Sequence, residues 1–145
     1  MSASTQLRSY TYDASQILKA TGAVTSSAAS GSTPINVGAG TYSGVAVIDV
    51  TALTVGADNA YDIIVQGSDS STFASGIENL SQLNLGNTAV RDGGAQTSTV
   101  GRYELPFTNE NNGNTYAYIR LYTKTAGTSP SINYSAYVGL DRLPR

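Results

Sequence analysis

The chain has 145 residues, a formal net charge of −2, 40% hydrophobic residues and only 12% charged residues. This length suits one domain with its own core, and the hydrophobic content argues against a disordered chain. The eight Lys and Arg residues are scattered and no apolar run is long, so the sequence predicts neither nucleic-acid binding nor a membrane span.

The side-chain inventory restricts the possible chemistry further. The chain has ten Tyr but no His, Cys or Trp. His and Cys supply the commonest metal ligands, general bases and thiol nucleophiles, so no cofactor, metal or catalytic residue is expected. Tyr is enriched at protein interfaces because it buries a large ring and keeps a polar hydroxyl. The composition therefore predicts a protein that binds other molecules rather than an enzyme.

Residues 1–15 are polar and carry Arg8, Tyr10 and Tyr12. We expect an extended N-terminal arm that orders on contact with a partner, the alternative being an unstructured tail. The arm lacks the basic and apolar regions of a signal peptide, so no signal peptide is predicted. Residues 16–145 are predicted to form a single β-sandwich domain.

The first element after the arm covers residues 17–25. Its Val and Thr content and the nearby Gly22 favour a strand, and a short helix capped by Asp13 is the alternative. Residues 26–33 are rich in Ser, Ala and Gly and are predicted to form a loop.

From residue 34 onward, short strand patterns alternate with Gly, Asn, Ser and Pro turns. No segment sustains a helical period. The predicted strands are residues 34–37, 44–53, 60–66, 77–85, 99–107, 115–123 and 132–140. With the first strand they indicate an all-β fold: a jelly-roll-like two-sheet sandwich of about eight short strands.

Strand alternation separates core positions from outward positions. In residues 115–123, Ile119 and Leu121 lie on one face and Arg120 on the other. A buried unpaired Arg is costly, so we expect Arg120 to point to solvent or to a partner. The outward aromatic residues expected with it are Tyr116, Tyr118, Tyr122 and, on a strand assumed to be adjacent, Tyr137.

These outward tyrosines are predicted to form an interface, together with Tyr10 and Tyr12 of the arm. Tyr rings beside a guanidinium form a good contact patch through burial and cation–π stacking. Three apolar residues on outward faces support this interpretation: Val45, Val47 and Ile64. The alternative is that Tyr is present only because it suits half-exposed strands.

Other candidate sites have ordinary structural explanations. Asp58 and Asp62 allow a calcium site, but such pairs are more often part of turns. A Ser–Lys dyad would need Lys19 or Lys124, and both lie in ordinary polar sequence. The segment that follows residues 60–66 is predicted to be a turn, with Phe73 folding back as a lid over the end of the sandwich.

Three segments resemble the small capsid cement (decoration) proteins of tailed bacteriophages. They are YDASQILKATGAVT at residues 12–25, INVG at 35–38 and YDIIVQGSDSSTF at 61–73. The arm carries an extra Ser relative to that family, and Asn36 stands where Asp is usual. The resemblance implies a jelly roll that is made in the host cytoplasm and lies on the outer capsid surface, without enzymatic activity.

The resemblance also implies partners: the major capsid protein and further copies of the chain, as a dimer or trimer. The expected function is therefore a virion structural protein on the capsid surface that stabilises contacts between capsid subunits. A carbohydrate- or receptor-binding jelly roll of a fibre or baseplate is the alternative, and the absence of Trp weighs against it. A glycan-degrading enzyme ranks last, because no acid pair is supported.

Overall fold

The computed structural model describes the backbone of residues 9–10, 16–139 and 141–142, and the side chains of residues 16–139. Apart from a single 3-10 residue at position 16, the only regular elements in this part of the chain are β-strands and turns. The all-β prediction is therefore confirmed. None of the described residues belongs to a helix long and apolar enough to cross a membrane.

The strands vary from two to eleven residues in length. Their bounds are β1 Ser9–Tyr10, β2 Ile17–Val24, β3 Ala28–Ala29, β4 Ile35–Asn36, β5 Ser43–Leu53, β6 Ala60–Ser68, β7 Glu78–Gly86, β8 Gly101–Thr108, β9 Glu110–Asn111, β10 Asn114–Thr115, β11 Tyr118–Ala126, β12 Ile132–Gly139 and β13 Asp141–Arg142.

Two antiparallel sheets form the body of the protein. The first, here called the β5 sheet, has the order β2-β12-β5-β8. The second, the β6 sheet, has the order β3-β11-β6-β7, and β4 also pairs with β11. Two small ladders, β1 with β13 and β9 with β10, complete the described pairings. Inward side chains from both sheets form one hydrophobic cluster, so the predicted two-sheet sandwich is confirmed.

The predicted alternation accounts for most of this core. Ile48 of β5, Ile119 of β11 and Tyr134 of β12 are each fully buried. The cluster comprises Leu18, Ile35, Ala46, Ile48, Val50, Tyr61, Ile63, Val65, Leu85, Leu105, Phe107, Ile119, Leu121, Ile132, Tyr134, Ala136 and Val138. Burying each large aliphatic or aromatic side chain stabilises the fold by roughly 1.5–3 kcal/mol before entropic costs.

Strand β11 begins at Tyr118, three residues later than predicted. The cause is Asn109, which is fully buried. Its amide donates to the carbonyls of Gly40 and Tyr116, and its side-chain oxygen accepts from the Tyr42 N–H. These bonds hold the chain before Tyr118 against the end of the sandwich, where β9 and β10 form a hairpin around Asn112 and Gly113.

The segment predicted as a loop at residues 26–33 contains the short strand β3. Ala29 pairs with Tyr122 of β11, and the Ser30 N–H donates to the Leu121 carbonyl at 2.9 Å. Local composition predicts a loop here because Ser and Gly favour turns. The pairing is made by a strand about ninety positions away, which no local pattern contains.

Candidate interaction surface on the outer face of the β6 sheet

The outer face of the β6 sheet carries an ordered grid of side chains from β11, β6 and β7. The antiparallel register places outward residues of the three strands opposite one another. The resulting rows are Lys124–Asp62–Asn84, Tyr122–Ile64–Gln82 and Arg120–Gln66–Asn79. Side chains opposite one another in such rows lie within contact distance, so residues of the three strands can interact across this face.

Arg120 is the most constrained residue of the grid. Its Nε donates to Gln66 Oε1 at 3.0 Å, and Gln66 Nε2 donates to Asn79 Oδ1 at 3.0 Å. The guanidinium carbon lies 4.3 Å from the centroid of the Phe73 ring. Burial lowers the pKa of Arg120, although a guanidinium stays charged near neutrality. Arg120 faces outward as predicted, but an aromatic ring and an amide of the same chain hold it.

Phe73 reaches this position because residues 69–76 fold back over the sheet. The Phe73 N–H donates to the Ser70 carbonyl, and Phe73 adopts a left-handed backbone conformation with φ of 54°. Its side chain is only 5% exposed. The ring covers the outer face of the β6 sheet beside Arg120 rather than the end of the sandwich, which corrects the predicted lid.

The structure separates the tyrosines predicted to act together. Tyr118 and Tyr122 share the outer face of β11 with Arg120, and both are half-buried. Tyr116 precedes the strand and packs against Gly67 of β6, where an added Cβ would lie 2.9 Å from the Tyr116 Cβ. Tyr116 is therefore beside the row but not part of it.

Tyr137 lies on the opposite side of the molecule. It belongs to β12 of the β5 sheet and pairs with Val47 of β5. The prediction that its strand neighbours β11 is wrong, because the chain crosses from one sheet to the other between β11 and β12. Tyr10 lies in β1, its side chain is outside the described residues, and Tyr12 is entirely outside them.

The three outward apolar residues do not form an exposed patch. Val45, Val47 and Ile64 are 5%, 0% and 6% exposed. Ile64 lies between Tyr122 and Gln82 in the grid, and Val47 lies between Tyr137 and Glu104 in the β5 sheet. The interpretation that these residues add free apolar area for a partner is therefore wrong.

The row Lys124–Asp62–Asn84 combines charges and amides. Burial raises the pKa of Asp62, the charge of Lys124 lowers it, and the charge of Asp92 raises it again. Gln82 stands next to this row, and its Nε2 donates to Asn84 Oδ1 at 2.8 Å. The row therefore places a cation, an anion and amide groups beside the Tyr122 ring without a large net charge.

The structure does not assemble the other candidate sites. The Asp58 carboxylate accepts from the backbone N–H and the hydroxyl of Thr128, and the side-chain bond is the main cause that lowers its pKa. Asp62 instead faces outward in the grid, so the two acids form no calcium site. Among residues 16–139, no group of three or more acidic residues is placed to hold a metal ion. The ammonium of Lys19 is bound by three carbonyl groups and is not free to act as a base.

Sequence reasoning identified Tyr118, Arg120 and Tyr122 and placed Ile64 on an outward face, but it did not assign Asp62 and Gln66 to the same surface. The period-two pattern of residues 60–66 contains the signal that would place Asp62, Ile64 and Gln66 on the same outward face. No sequence pattern predicts that Phe73 lies against Arg120, because its position depends on how residues 69–76 fold back.

No family model matches the chain, and no curated protein matches it. The resemblance to capsid cement proteins therefore stays a prediction that rests on the three short motifs.

Proposed function

We propose that this chain is a non-enzymatic structural protein of a tailed-phage virion that binds the outside of the capsid. It stabilises contacts between major capsid subunits and associates with further copies of itself. The motif resemblance suggests this role. The observation that supports it most is the face of β11, where half-buried Tyr118 and Tyr122 flank an Arg120 held in place by Gln66 and Phe73. Rigid aromatic and Arg side chains are typical of interface hot spots.

The strand order supports the finer proposal of jelly-roll connectivity. Strands β2, β12, β5 and β8 face strands β3, β11, β6 and β7. Between these eight strands, only β6 and β7 are consecutive neighbours in one sheet, so the chain crosses between sheets at the other connections. Strands β3 and β4 both pair with β11, and if they are counted as one interrupted strand, the two sheets match the two four-stranded sheets of a jelly roll.

The proposed role needs no reaction centre. A protein that binds the assembled shell but not its dissociated subunits stabilises the shell by mass action. Many copies act on one shell, so each contact needs only modest affinity. A weakly charged surface of hydroxyl and amide groups is compatible with such close packing of copies.

A double substitution, Tyr118→Ala with Tyr122→Ala, tests the docking surface. We expect the variant to fold, because both side chains face outward, and its binding free energy to fall by about 2 kcal/mol or more if the pair is a hot spot. The measurement is occupancy on purified capsids, with Ser135→Ala on the outer face of the β5 sheet as the control. Wild-type occupancy by the double variant would exclude this face as the contact with the shell.

The grid also supports a second candidate, a carbohydrate- or receptor-binding sandwich. Tyr122 stands beside Asp62, Asn84 and Gln82, which supply hydrogen-bond donors and acceptors next to an aromatic ring. Sugars are bound by this combination of stacking and convergent polar groups. Glycan-array binding that Asp62→Asn abolishes, with capsid occupancy unchanged, would favour this function.

A further inference from the structure

Strand β7 is an edge strand of the β6 sheet. Among the strands that the structure describes, β7 pairs only with β6, and its nine residues include neither Pro nor Lys. The other edges carry features that hinder strand addition. Strand β8 contains Pro106, β3 and β4 have two residues each, and β2 has two register shifts against β12. The long edge of β7 is therefore the one most suited to accept another strand.

Hydrogen bonds at the end of β7 show which backbone groups face away from β6. The Asn87 N–H donates to the Asn59 carbonyl, whereas both backbone groups of Gly86 bond to Ser98. In an antiparallel ladder, alternate residues direct their N–H and C=O to opposite sides. The backbone groups of Asn84 and Gln82 therefore face away from β6, as those of Gly86 do.

Residues 87–98 cover only the C-terminal part of this edge. The Ser98 N–H donates to the Gly86 carbonyl at 2.9 Å, and Ser98 Oγ accepts from the Gly86 N–H at 3.0 Å. Arg91 Nε donates to the Asn84 carbonyl at 3.0 Å. The covered part thus begins at Asn84, and the edge from Glu78 to Gln82 stays open.

The open part offers a second residue with outward backbone groups. One register shift, at Leu80, interrupts the pairing of β7 with β6. Because β6 is regular against β11, the residues opposite Ile64 and Gln66 have the same orientation. These residues are Gln82 and Asn79, and both are exposed.

A side-chain bond agrees with this orientation of Asn79. Its N–H donates to Glu78 Oε1 at 3.2 Å rather than to β6. This bond is exposed, so a carbonyl group of an incoming strand can replace the carboxylate.

We propose that a second copy of this chain adds its own β7 to this edge, antiparallel about a two-fold axis at Ser81. Gln82 of each copy then exchanges two backbone hydrogen bonds with Asn79 of the other. The exposed amide side chains of these residues lie opposite one another, so no like charges meet. The pairing joins the row that ends in Gln82 to the row that ends in Asn79 of the second copy, and the outer faces of the two β6 sheets become continuous.

Exposed apolar side chains at the two ends of the edge favour a second copy as the occupant. Ile77 immediately precedes β7, Val90 lies in the covering segment, and both are 42% exposed. Antiparallel pairing places the start of β7 in one copy beside Asn84 and Arg91 of the other. Ile77 of each copy then meets the segment that carries Val90 in its partner, and the two-fold axis repeats this contact.

This inference gives a surface to the self-association in the proposed function and rests on that part of it alone. The tests use the isolated protein. Failure of strand pairing would leave capsid binding through Tyr118 and Tyr122 unaffected, and failure of capsid binding would leave the pairing unaffected.

The first test is Gln82→Pro, which removes an N–H that faces the open edge and not β6. Proline is tolerated at such edge positions, so the variant should fold. Sedimentation velocity over a concentration series should show that the dissociation constant for self-association rises roughly tenfold or more, because each copy loses one backbone bond. Gln82→Ala keeps the N–H and should associate like the wild type.

Glu78→Ala should have the opposite effect. It frees the Asn79 N–H from the Glu78 carboxylate, so the dissociation constant should fall. Glu110→Ala, an exposed glutamate outside β7, changes the charge equally and should leave the constant unchanged. A wild-type protein that stays monomeric at its highest soluble concentration would overturn the proposal. So would Gln82→Pro protein that associates like the wild type, or a constant that Glu78→Ala does not lower.

Hydrogen exchange on the unsubstituted protein keeps the test decisive if Gln82→Pro does not fold. The Gln82 amide should gain protection as protein concentration rises. The Leu83 amide faces β6 and should change little. Exchange at Gln82 that is independent of concentration would overturn the proposal.

Discussion

At the scale of single residues, Ile119 tests the assignment of inward and outward positions along the strands. It is fully buried between the sheets, while Ser135 of β12 faces outward. Ile119→Ala should lower the free energy of unfolding by about 2–5 kcal/mol, because the substitution leaves a cavity in a packed core. Ser135→Ala should change it by less than about 0.5 kcal/mol. Equal effects in urea unfolding would contradict the register of these strands.

Tyr134 couples stability to alkaline pH. Burial raises its pKa to about 12, and its hydroxyl lies 2.6 Å from the Thr123 hydroxyl. The unfolded chain ionises this tyrosine near pH 10, so above that pH the unfolded state gains free energy of ionisation that the folded state does not. The contribution of neutral Tyr134 to the free energy of unfolding is fully present below pH 10. It is lost as the pH rises from 10 toward 12, and the total loss is about 3 kcal/mol.

Urea unfolding at a series of pH values between about 8 and 11 measures this loss. Tyr134→Phe cannot ionise, so its stability should fall less steeply with pH than that of the wild type. The slope will not vanish, because burial also raises the pKa values of Tyr42 and Tyr61. Parallel slopes for the wild type and the variant would show that Tyr134 does not cause the alkaline loss.

At the scale of elements, Arg120 connects strand β11 to the loop at residues 69–76. Arg120→Ala removes the contact with the Phe73 ring and leaves Gln66 Oε1 without its partner, so unfolding free energy should fall by about 1–3 kcal/mol. Amide exchange in residues 69–76 should also become faster. The control is Lys124→Ala, on the same face of the same strand but exposed, which should change stability by about 0.5 kcal/mol or less.

The same elements show why sequence patterns predict the positions of strands better than they predict contacts between distant parts of the chain. The period of two in residues 44–53 and 60–66 correctly predicted β5 and β6, because alternation reflects the burial of one face of each strand. The start of β11 was predicted three residues too early. Its position depends on the amide of Asn109, which bonds to distant backbone groups.

At the scale of the whole molecule, we expect the N-terminal arm to contribute to capsid attachment but not to the stability of the isolated protein. The only described pairing of the segment before residue 16 is the two-residue ladder of β1 with β13. Deleting residues 2–12 should therefore leave the unfolding midpoint of the isolated protein nearly unchanged. Retention on capsids under heat should decrease, because an arm that orders on binding adds contacts only in the complex. Equal retention of the truncated and full chains would make the arm a passive tail.

The fold class, most of the strands and most of the core follow from sequence patterns alone. Hydrophobic alternation, turn residues and the scarcity of charge act locally, so they can be interpreted without knowing which strands are neighbours. Alternation correctly placed Ile119 and Leu121 inside for this reason.

Which residues share a surface depends on the tertiary structure. It placed Tyr137 on the face opposite Tyr118, covered Arg120 with Phe73, and turned Lys19 inward to bond the carbonyls of its own edge strand. Each of these depends on a crossing between sheets, on a loop folding back or on a shift in register. Alternation specifies whether a side chain faces in or out, but neither which sheet its strand joins nor what covers it, because those depend on contacts between distant parts of the chain.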